Sequence, residues 1–140
     1  MKKLFLAAIA GAVTMFVVGG LTHLVIFKDL LLSLKGSVVD INRPEPLLPV
    51  TILALIILGL IMSYMYPKGV EGNDKIMQGL KFGVIISLLW FLPCNLIEYS
   101  MTTVLSLQSI LFDAVLHAIE QGLGGVAIAL VYGNLPLKSK

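Results

Sequence analysis

The sequence predicts an all-α integral membrane protein, a four-transmembrane-helix bundle with its N and C termini cytoplasmic. Hydrophobic residues make up 58% of the 140-residue chain and charged residues only 13%, whereas a soluble domain is about 25% charged. The mean hydropathy is +0.98. Four apolar stretches are each long enough to cross a hydrocarbon core of roughly 30 Å. We predict spans over residues 4–27, 47–65, 76–101 and 110–132, in a single domain covering residues 1–140.

The first span begins like a secretory signal, because Lys2 and Lys3 precede an apolar run. That run continues without charge for 24 residues, from Leu4 to Phe27, and a signal peptide has an apolar region of only about 7–15 residues. We therefore predict a retained span. The polar connection after it, residues 28–46, is an outer loop by this assignment. Its length suggests a lid over the outer end of the bundle.

The second and third spans differ in their polar content. The second is almost purely apolar and ends near Tyr64 and Tyr66, aromatic residues of a kind enriched at membrane interfaces. A turn is predicted over residues 67–75, which read PKGVEGNDK. The third span carries Lys81 in its first turns, where a lysine can extend back to the headgroups, and Pro93, which packed spans tolerate.

The distribution of Lys and Arg predicts the orientation. With four spans both termini lie on one side, and seven of the ten Lys and Arg residues fall on that side. The positive-inside rule then places the termini in the cytoplasm. The seven are Lys2, Lys3, Lys68, Lys75, Lys81, Lys138 and Lys140, and the other three are Lys28, Lys35 and Arg43.

The fourth span has three different faces. At 100° per residue, Asp113, His117 and Glu120 form one polar stripe. Because an ionisable group inside a span costs roughly 2.5–3.5 kcal/mol, other helices must shelter this stripe. A bulky face of Phe112, Leu116, Ile119, Leu123 and Leu130 is predicted to meet lipid. Small residues that allow close helix packing are predicted at Gly11, Gly19, Ala118, Gly122, Gly125 and Ala129.

The polar residues of three spans are predicted to meet in the outer half of the membrane. The candidate cluster consists of His23, Asn95, Glu98, Asp113, His117 and Glu120. One interpretation is a divalent metal site for Zn, Fe or Mn with His23, Glu98, His117 and Glu120 as ligands. A second is a proton relay or a site for a small ligand. A third is ordinary pairing, in which the residues only fix the helix register.

Several classes of function lack their sequence signals. The single Cys94 excludes an intrachain disulfide. There is no basic stripe with interleaved aromatic residues, so we expect no nucleic-acid partner. Catalytic triad signatures, phosphate-binding loops and the HExxH motif are absent. The order His117-x-x-Glu120 is the reverse of the Glu-x-x-His motif of di-iron bundles and is not repeated. The sequence therefore gives no reason to assign an enzymatic activity.

Two segments carry a resemblance, GLKFGVIISLL (Gly79 to Leu89) and FDAVLHAIEQGLGGVAIALVYG (Phe112 to Gly133). They resemble a loose group of small, uncharacterised bacterial membrane proteins with four spans, a Gly-Leu-Lys entering the third span and an Asp early in a Gly-rich fourth. Asp113 matches that pattern, and His117 and Glu120 depart from it. The resemblance implies a multi-pass protein of the bacterial cytoplasmic (inner) membrane and implies no activity.

Two functions follow as expectations. The favoured one is a non-enzymatic structural or accessory subunit, or a small oligomer packed through its Gly/Ala helix faces. Its expected partners are membrane lipid and either further copies of the chain or other membrane subunits. The alternative is a metal- or small-ligand-binding protein, catalytic or proton-relaying, that uses the outward-facing His/carboxylate cluster.

Overall fold

The computed structural model describes residues 1–34, 47–69 and 74–133, and the fold is all-helical. Within these residues, four helices are long and apolar enough to cross a membrane, which confirms the predicted number of candidate spans. The helices are α1 (Lys2–Gly19, continued by a π-helical segment, Gly20–Ile26), α2 (Lys28–Ser33), α3 (Leu48–Gly69), α4 (Lys75–Met101) and α5 (Leu107–Tyr132).

Local capping sets the helix ends and explains where they differ from the prediction. The Asp74 carboxylate accepts hydrogen bonds from the backbone N–H groups of Ile76 and Met77 and so begins α4. The Ser106 hydroxyl accepts one from Ser109 N–H, so α5 begins three residues before the predicted position 110. At the other end of α5, Gly133 adopts a positive φ of 71°, a conformation that glycine reaches without a Cβ penalty.

The helices lie in the order α4, α5, α1, α3, with α5 between α1 and α4. Both of these neighbours run antiparallel to α5, and α3 runs antiparallel to α1. We call the end at which α1 begins and α5 ends the terminal end, and the opposite one the distal end. Helices α3 and α4 meet only slightly, and one of their contacts is the edge-on pair of Tyr66 and Phe82 rings, 5.5 Å apart, near the terminal end.

Glycines bring the backbones of α4 and α5 into direct contact. A Cβ atom at Gly79 would lie 2.6 Å from the carbonyl oxygen of Gly125, and one at Gly83 would collide with the carbonyl oxygen of Gln121. Real Cβ atoms do not approach so closely, so only glycine fits at these two positions of α4. The sequence analysis did not single out either of them as a packing residue.

The predicted small-residue positions mostly lie at helix contacts. A Cβ atom at Gly11 would meet Ile128 at 2.8 Å, and one at Gly122 would meet Leu80 at 2.8 Å. Ala129 is fully buried and Ala118 is half-buried. Gly125 faces Gly79, and Gly19 faces the Glu120 side chain.

Leu116 corrects the prediction of a lipid face on α5. Its side chain is only 2% exposed, whereas Ile119, Leu123 and Leu130 are exposed as predicted. The physical reason is the position of α5 between α1 and α4, which buries more than one of its faces. A single helical wheel cannot indicate how many neighbours a helix has.

Hydrogen bonds join three helices at the terminal end. The Ser63 hydroxyl of α3 donates to the Leu4 carbonyl of α1 at 2.9 Å. The Tyr132 hydroxyl of α5 donates to the Ser63 carbonyl at 2.8 Å. Lys3 Nζ donates to the Tyr132 carbonyl at 3.4 Å. Because few polar groups are available in such an apolar core, these bonds fix the relative height of α1, α3 and α5.

The predicted outer loop begins with a helical turn instead of irregular chain. Helix α2 follows the π-helical segment directly, and its sequence KDLLLS combines good helix formers with an acidic residue in the first turn. The Ser106 hydroxyl donates to the Leu34 carbonyl, and the rings of Phe27 and Phe112 pack edge to face at 5.3 Å. The rest of the loop, residues 35–46, lies outside the described residues. The predicted lid falls in this part of the chain.

Candidate functional site

His23 projects from the π-helical segment and bridges α1 to α5. Its Nε2 lies 2.8 Å from Oδ1 of Asp113. Its Nδ1 lies 3.1 Å from the Gly19 carbonyl oxygen and 3.0 Å from the Thr22 hydroxyl. A carbonyl can only accept, so the contact with Gly19 favours a proton on Nδ1 and leaves Nε2 to face Asp113. π-Helical turns are rare and are frequent at functional sites.

Asp113 lies between two imidazole rings. Its second oxygen, Oδ2, is 4.0 Å from Nε2 of His117, one turn along α5. The rings of His23 and His117 are 5.1 Å apart. Both imidazoles therefore turn their Nε2 atoms toward the one carboxyl group of Asp113.

Glu120 is the most deeply buried ionisable group of the cluster. Its side chain is 8% exposed, and its Oε2 lies 3.3 Å from Nδ1 of His117. The two atoms are not aligned for a hydrogen bond. A Cβ atom at Gly19 would approach Oε2 to 3.0 Å, so the glycine provides the space that the carboxyl group occupies. Burial of an ionisable group with so few polar contacts is costly.

Aromatic side chains of α4 form the back of the site. The His117 ring packs on Phe91 at 4.3 Å and on Trp90 at 5.7 Å between ring centres. Trp90 Nε1 donates to Oε1 of Gln121 at 3.0 Å. Gln121 is fully buried, and its Nε2 has no hydrogen-bond partner among the described residues.

The structure brings together four of the six predicted cluster residues: His23, Asp113, His117 and Glu120. Asn95 donates to the carbonyl of Phe91 in its own helix at 2.8 Å, and Glu98 is exposed. Asn95 and Glu98 lie outside the cluster because of the height at which α4 packs against α5. Phe91 is the residue that packs on His117, and Glu98 lies seven residues farther along the helix, about 10 Å at 1.5 Å per residue.

One part of the site was not predicted from the sequence. Trp90 and Gln121 form a polar contact between α4 and α5 next to His117. Ser87, one turn before the aromatic pair, is fully buried as well, and its hydroxyl has no hydrogen-bond partner among the described residues. The available signal was the presence of polar residues inside otherwise apolar helices, because such residues face protein rather than lipid.

The donor atoms could hold a metal ion. His23, Asp113 and His117 each offer one ligand atom, and the three atoms lie within 4.8 Å of one another. Two imidazoles and one carboxylate are a ligand set typical of Zn and of non-haem Fe. Two of the four predicted ligands, Glu98 and Glu120, are not in this group, and Asp113, which was not predicted as a ligand, belongs to it. Nδ1 of His23 contacts the Gly19 carbonyl oxygen, the kind of orienting contact that metal-binding histidines commonly have. Nδ1 of His117 lies 3.3 Å from Oε2 of Glu120 without hydrogen-bond alignment.

A cleft of about 360 Å³ opens beside the cluster. His23, His117 and Glu120 form one wall, and apolar residues of α1 and α3 form most of the rest. The cleft therefore combines one polar wall with an otherwise apolar lining. Its other lining residues are Met15, Phe16, Gly19, Gly20, Leu24, Leu48, Thr51 and Leu55.

Comparison with known proteins gives no relative: no family model, no curated protein and no solved structure matches the chain. The resemblance to small bacterial four-span proteins stays a prediction. The geometry of the cluster and of the cleft is therefore the basis for inferring a function.

Proposed function

We propose that this chain is a multi-pass membrane protein that binds one divalent transition metal through His23, Asp113 and His117. The observation that carries the proposal is the convergence of three ligand atoms from two helices within 4.8 Å. Three protein ligands leave a coordination position free, as in catalytic rather than purely structural metal sites. Zn, Fe and Mn are the candidate ions, and the imidazole pair favours Zn or Fe among them.

The alternative of simple ion pairing accounts for less of the geometry. One histidine is enough to pair Asp113, and His23 already does so at 2.8 Å. The second imidazole is directed at the same carboxylate from 4.0 Å, a distance too long for a hydrogen bond. A bound cation between the three groups would use both imidazoles, and it would balance the carboxylates of Asp113 and Glu120.

The proposal includes the orientation that the Lys and Arg distribution predicts. If the chain lies in a bacterial inner membrane with its termini in the cytoplasm, the cluster would lie in the outer half of the bilayer. A metal ion would then reach it from the outer aqueous side, past the helix ends that carry Phe27 and Phe112. Cysteine accessibility labelling in intact cells tests this orientation, with single cysteines placed in the two polar connections of a Cys94→Ala background.

Cobalt titration tests the metal site directly. Co²⁺ replaces Zn²⁺ in many sites and gives visible d–d absorption bands whose intensity reports the coordination number. Trp90 is the only tryptophan in the chain and its ring packs 5.7 Å from that of His117, so bound Co²⁺ should quench its fluorescence. We expect saturation at one equivalent, with absorption and quenching giving the same Kd.

Matched variants decide whether the ion occupies the proposed ligands. Asp113→Asn and His117→Ala each remove a ligand and should abolish the absorption bands and the quenching. Glu98→Gln removes an exposed carboxylate of α4 outside the ligand group and should leave both unchanged. Equal loss in all three variants would indicate non-specific binding, and an unchanged titration in Asp113→Asn would refute the assignment.

A second candidate function is that of an accessory subunit, and the uncovered apolar surface supports it. In the most apolar windows of α3 and α4, only 17% and 22% of residues are buried within the chain. Lipid or another membrane subunit would cover the remaining surface. Gly11, Gly122 and Gly125 already pack against helices of the same chain, so an oligomer would associate through other faces. Native mass spectrometry of the protein released from lipid nanodiscs tests for a defined oligomer or a co-purifying subunit.

A further inference from the structure

We propose that the cleft beside the polar cluster binds a lipophilic hydroxyl compound, a membrane-soluble alcohol or phenol. The hydroxyl would lie at the wall formed by His23, His117 and Glu120, and the hydrocarbon part would fill the space between α1 and α3. This inference goes beyond the metal site. It uses the cleft and Glu120, and its test is carried out without metal.

Glu120 determines the chemistry of the head group. Its side chain is 8% exposed and lines the cleft, and the ring nitrogen beside it, Nδ1 of His117 at 3.3 Å from Oε2, is not aligned for a hydrogen bond. A carboxyl group in a mostly apolar cleft is stabilised by a ligand that donates a hydrogen bond to it. A hydroxyl group can donate to a Glu120 oxygen, and its own oxygen can accept from an imidazole N–H. A pure hydrocarbon would supply no donor to Glu120, and an anionic head group would lie against the Glu120 carboxyl group that lines the cleft.

The other walls of the cleft determine the chemical class of the rest of the ligand. Met15, Phe16 and Leu55 face the cleft from α1 and α3, so the space away from the polar wall is hydrophobic. A volume of about 360 Å³ falls within the usual range for small-ligand sites, roughly 300–1,000 Å³. A compact alkyl chain or a single ring fits these walls better than a sugar or a polar metabolite.

The route into the cleft favours a ligand dissolved in the membrane. Phe16, Leu24 and Leu48 line the cleft and are also exposed on the surface of the helices. In a membrane these side chains would contact lipid, so the cleft opens toward hydrocarbon along the groove between α1 and α3. Ligands that partition into lipid reach such an opening at high local concentration.

Photolabelling with a defined probe tests the inference. The protein in lipid nanodiscs is treated with EDTA and irradiated with octanol that carries a diazirine in its chain, and the labelled residues are mapped by mass spectrometry. We expect the label on cleft-lining residues of α1 and α3, and competition by unlabelled octanol. The methyl ether of the same probe has no O–H donor and should label these residues about tenfold less, the equivalent of 1.4 kcal/mol.

Matched variants separate the cleft from general lipid contact. Thr51→Phe places a ring in the cleft and should abolish the labelling there, whereas Leu53→Phe, at an exposed position that does not line the cleft, should not. Glu120→Met should remove the preference for the alcohol over the ether, and Glu98→Met should keep it. Label spread evenly over the exposed apolar residues, or no difference between alcohol and ether, would overturn the inference. Because EDTA is present throughout, these outcomes do not depend on whether the protein binds a metal.

Discussion

Two adjacent glycines allow a sharp test of how Glu120 is positioned. A Cβ atom at Gly19 would lie 3.0 Å from Oε2 and 3.1 Å from Cδ of Glu120, whereas one at Gly20 would have no neighbour within 4 Å. Gly19→Ala and Gly20→Ala add the same methyl group at neighbouring positions of the chain. Only the first one pushes the carboxyl group away from its position beside His117.

The expected magnitude follows from what the new methyl group meets. The contacted atoms are the far end of a flexible side chain and not backbone, so Glu120 can move without unfolding the protein. The loss of an orienting contact to a metal-binding histidine typically costs 10–100-fold in metal affinity. Because the carboxyl group has to move by only a few tenths of an ångström, we expect Gly19→Ala to weaken Co²⁺ binding by about tenfold at most, the lower end of that range, with Gly20→Ala close to wild type.

Two measurements on the same samples check this prediction. Trp90 quenching gives the Co²⁺ affinity, and thermal unfolding in detergent gives the stability. The reasoning requires a loss of affinity in Gly19→Ala with little change in unfolding temperature. It would be refuted by equal affinities of the two variants, and a matching loss of affinity and stability in Gly19→Ala would show that the glycine acts on the fold instead of on Glu120.

Three further predictions concern stability. Gly83→Ala should destabilise the protein by at least about 1–3 kcal/mol, because the new Cβ atom would collide with the backbone of α5. The control Gly69→Ala, whose Cβ atom would have nothing within 4 Å, should leave the thermal unfolding temperature unchanged. Trp90→Phe should cost about 1–3 kcal/mol, because the buried amide oxygen of Gln121 loses its donor; chemical unfolding measures the loss. Tyr132→Phe should cost about 0.5–1.5 kcal/mol by removing the donor to the Ser63 carbonyl, measured in the same assay.

Each stability prediction has an outcome that contradicts it. Wild-type stability in Gly83→Ala would mean that the backbones of α4 and α5 are farther apart than described. An unchanged Trp90→Phe protein would mean that Gln121 finds another donor or water. For Tyr132→Phe, no loss would indicate that its hydroxyl contributes nothing to joining α3 and α5.

The number and approximate position of the long helices could be predicted because hydrophobic length is a property of the chain alone. The gathering of His23, Asp113, His117 and Glu120 could also be anticipated, since three of them share one face of α5 and antiparallel helices bring His23 to the same level. Orientation in the membrane and the identity of that membrane remain proposals.

The remaining details depend on neighbours that a single helix does not reveal. The burial of Leu116 follows from the position of α5 between α1 and α4. The exclusion of Glu98 follows from the height at which α4 packs on α5, which the contact between Gly83 and Gln121 fixes. A ligand group with Asp113 and without Glu98 and Glu120 could therefore not be predicted from the sequence, although all three carboxylates belonged to the candidate cluster.

The most direct test of the proposed function is the metal content of the protein purified without a metal-binding affinity tag. Elemental analysis would compare wild type with His117→Ala and with Glu98→Gln. We predict about one equivalent of Zn, Fe or Mn in wild type and in Glu98→Gln, and none in His117→Ala. Absence of metal from all three after incubation with each ion, or equal metal in all three, would contradict the assignment of His23, Asp113 and His117 as a metal site.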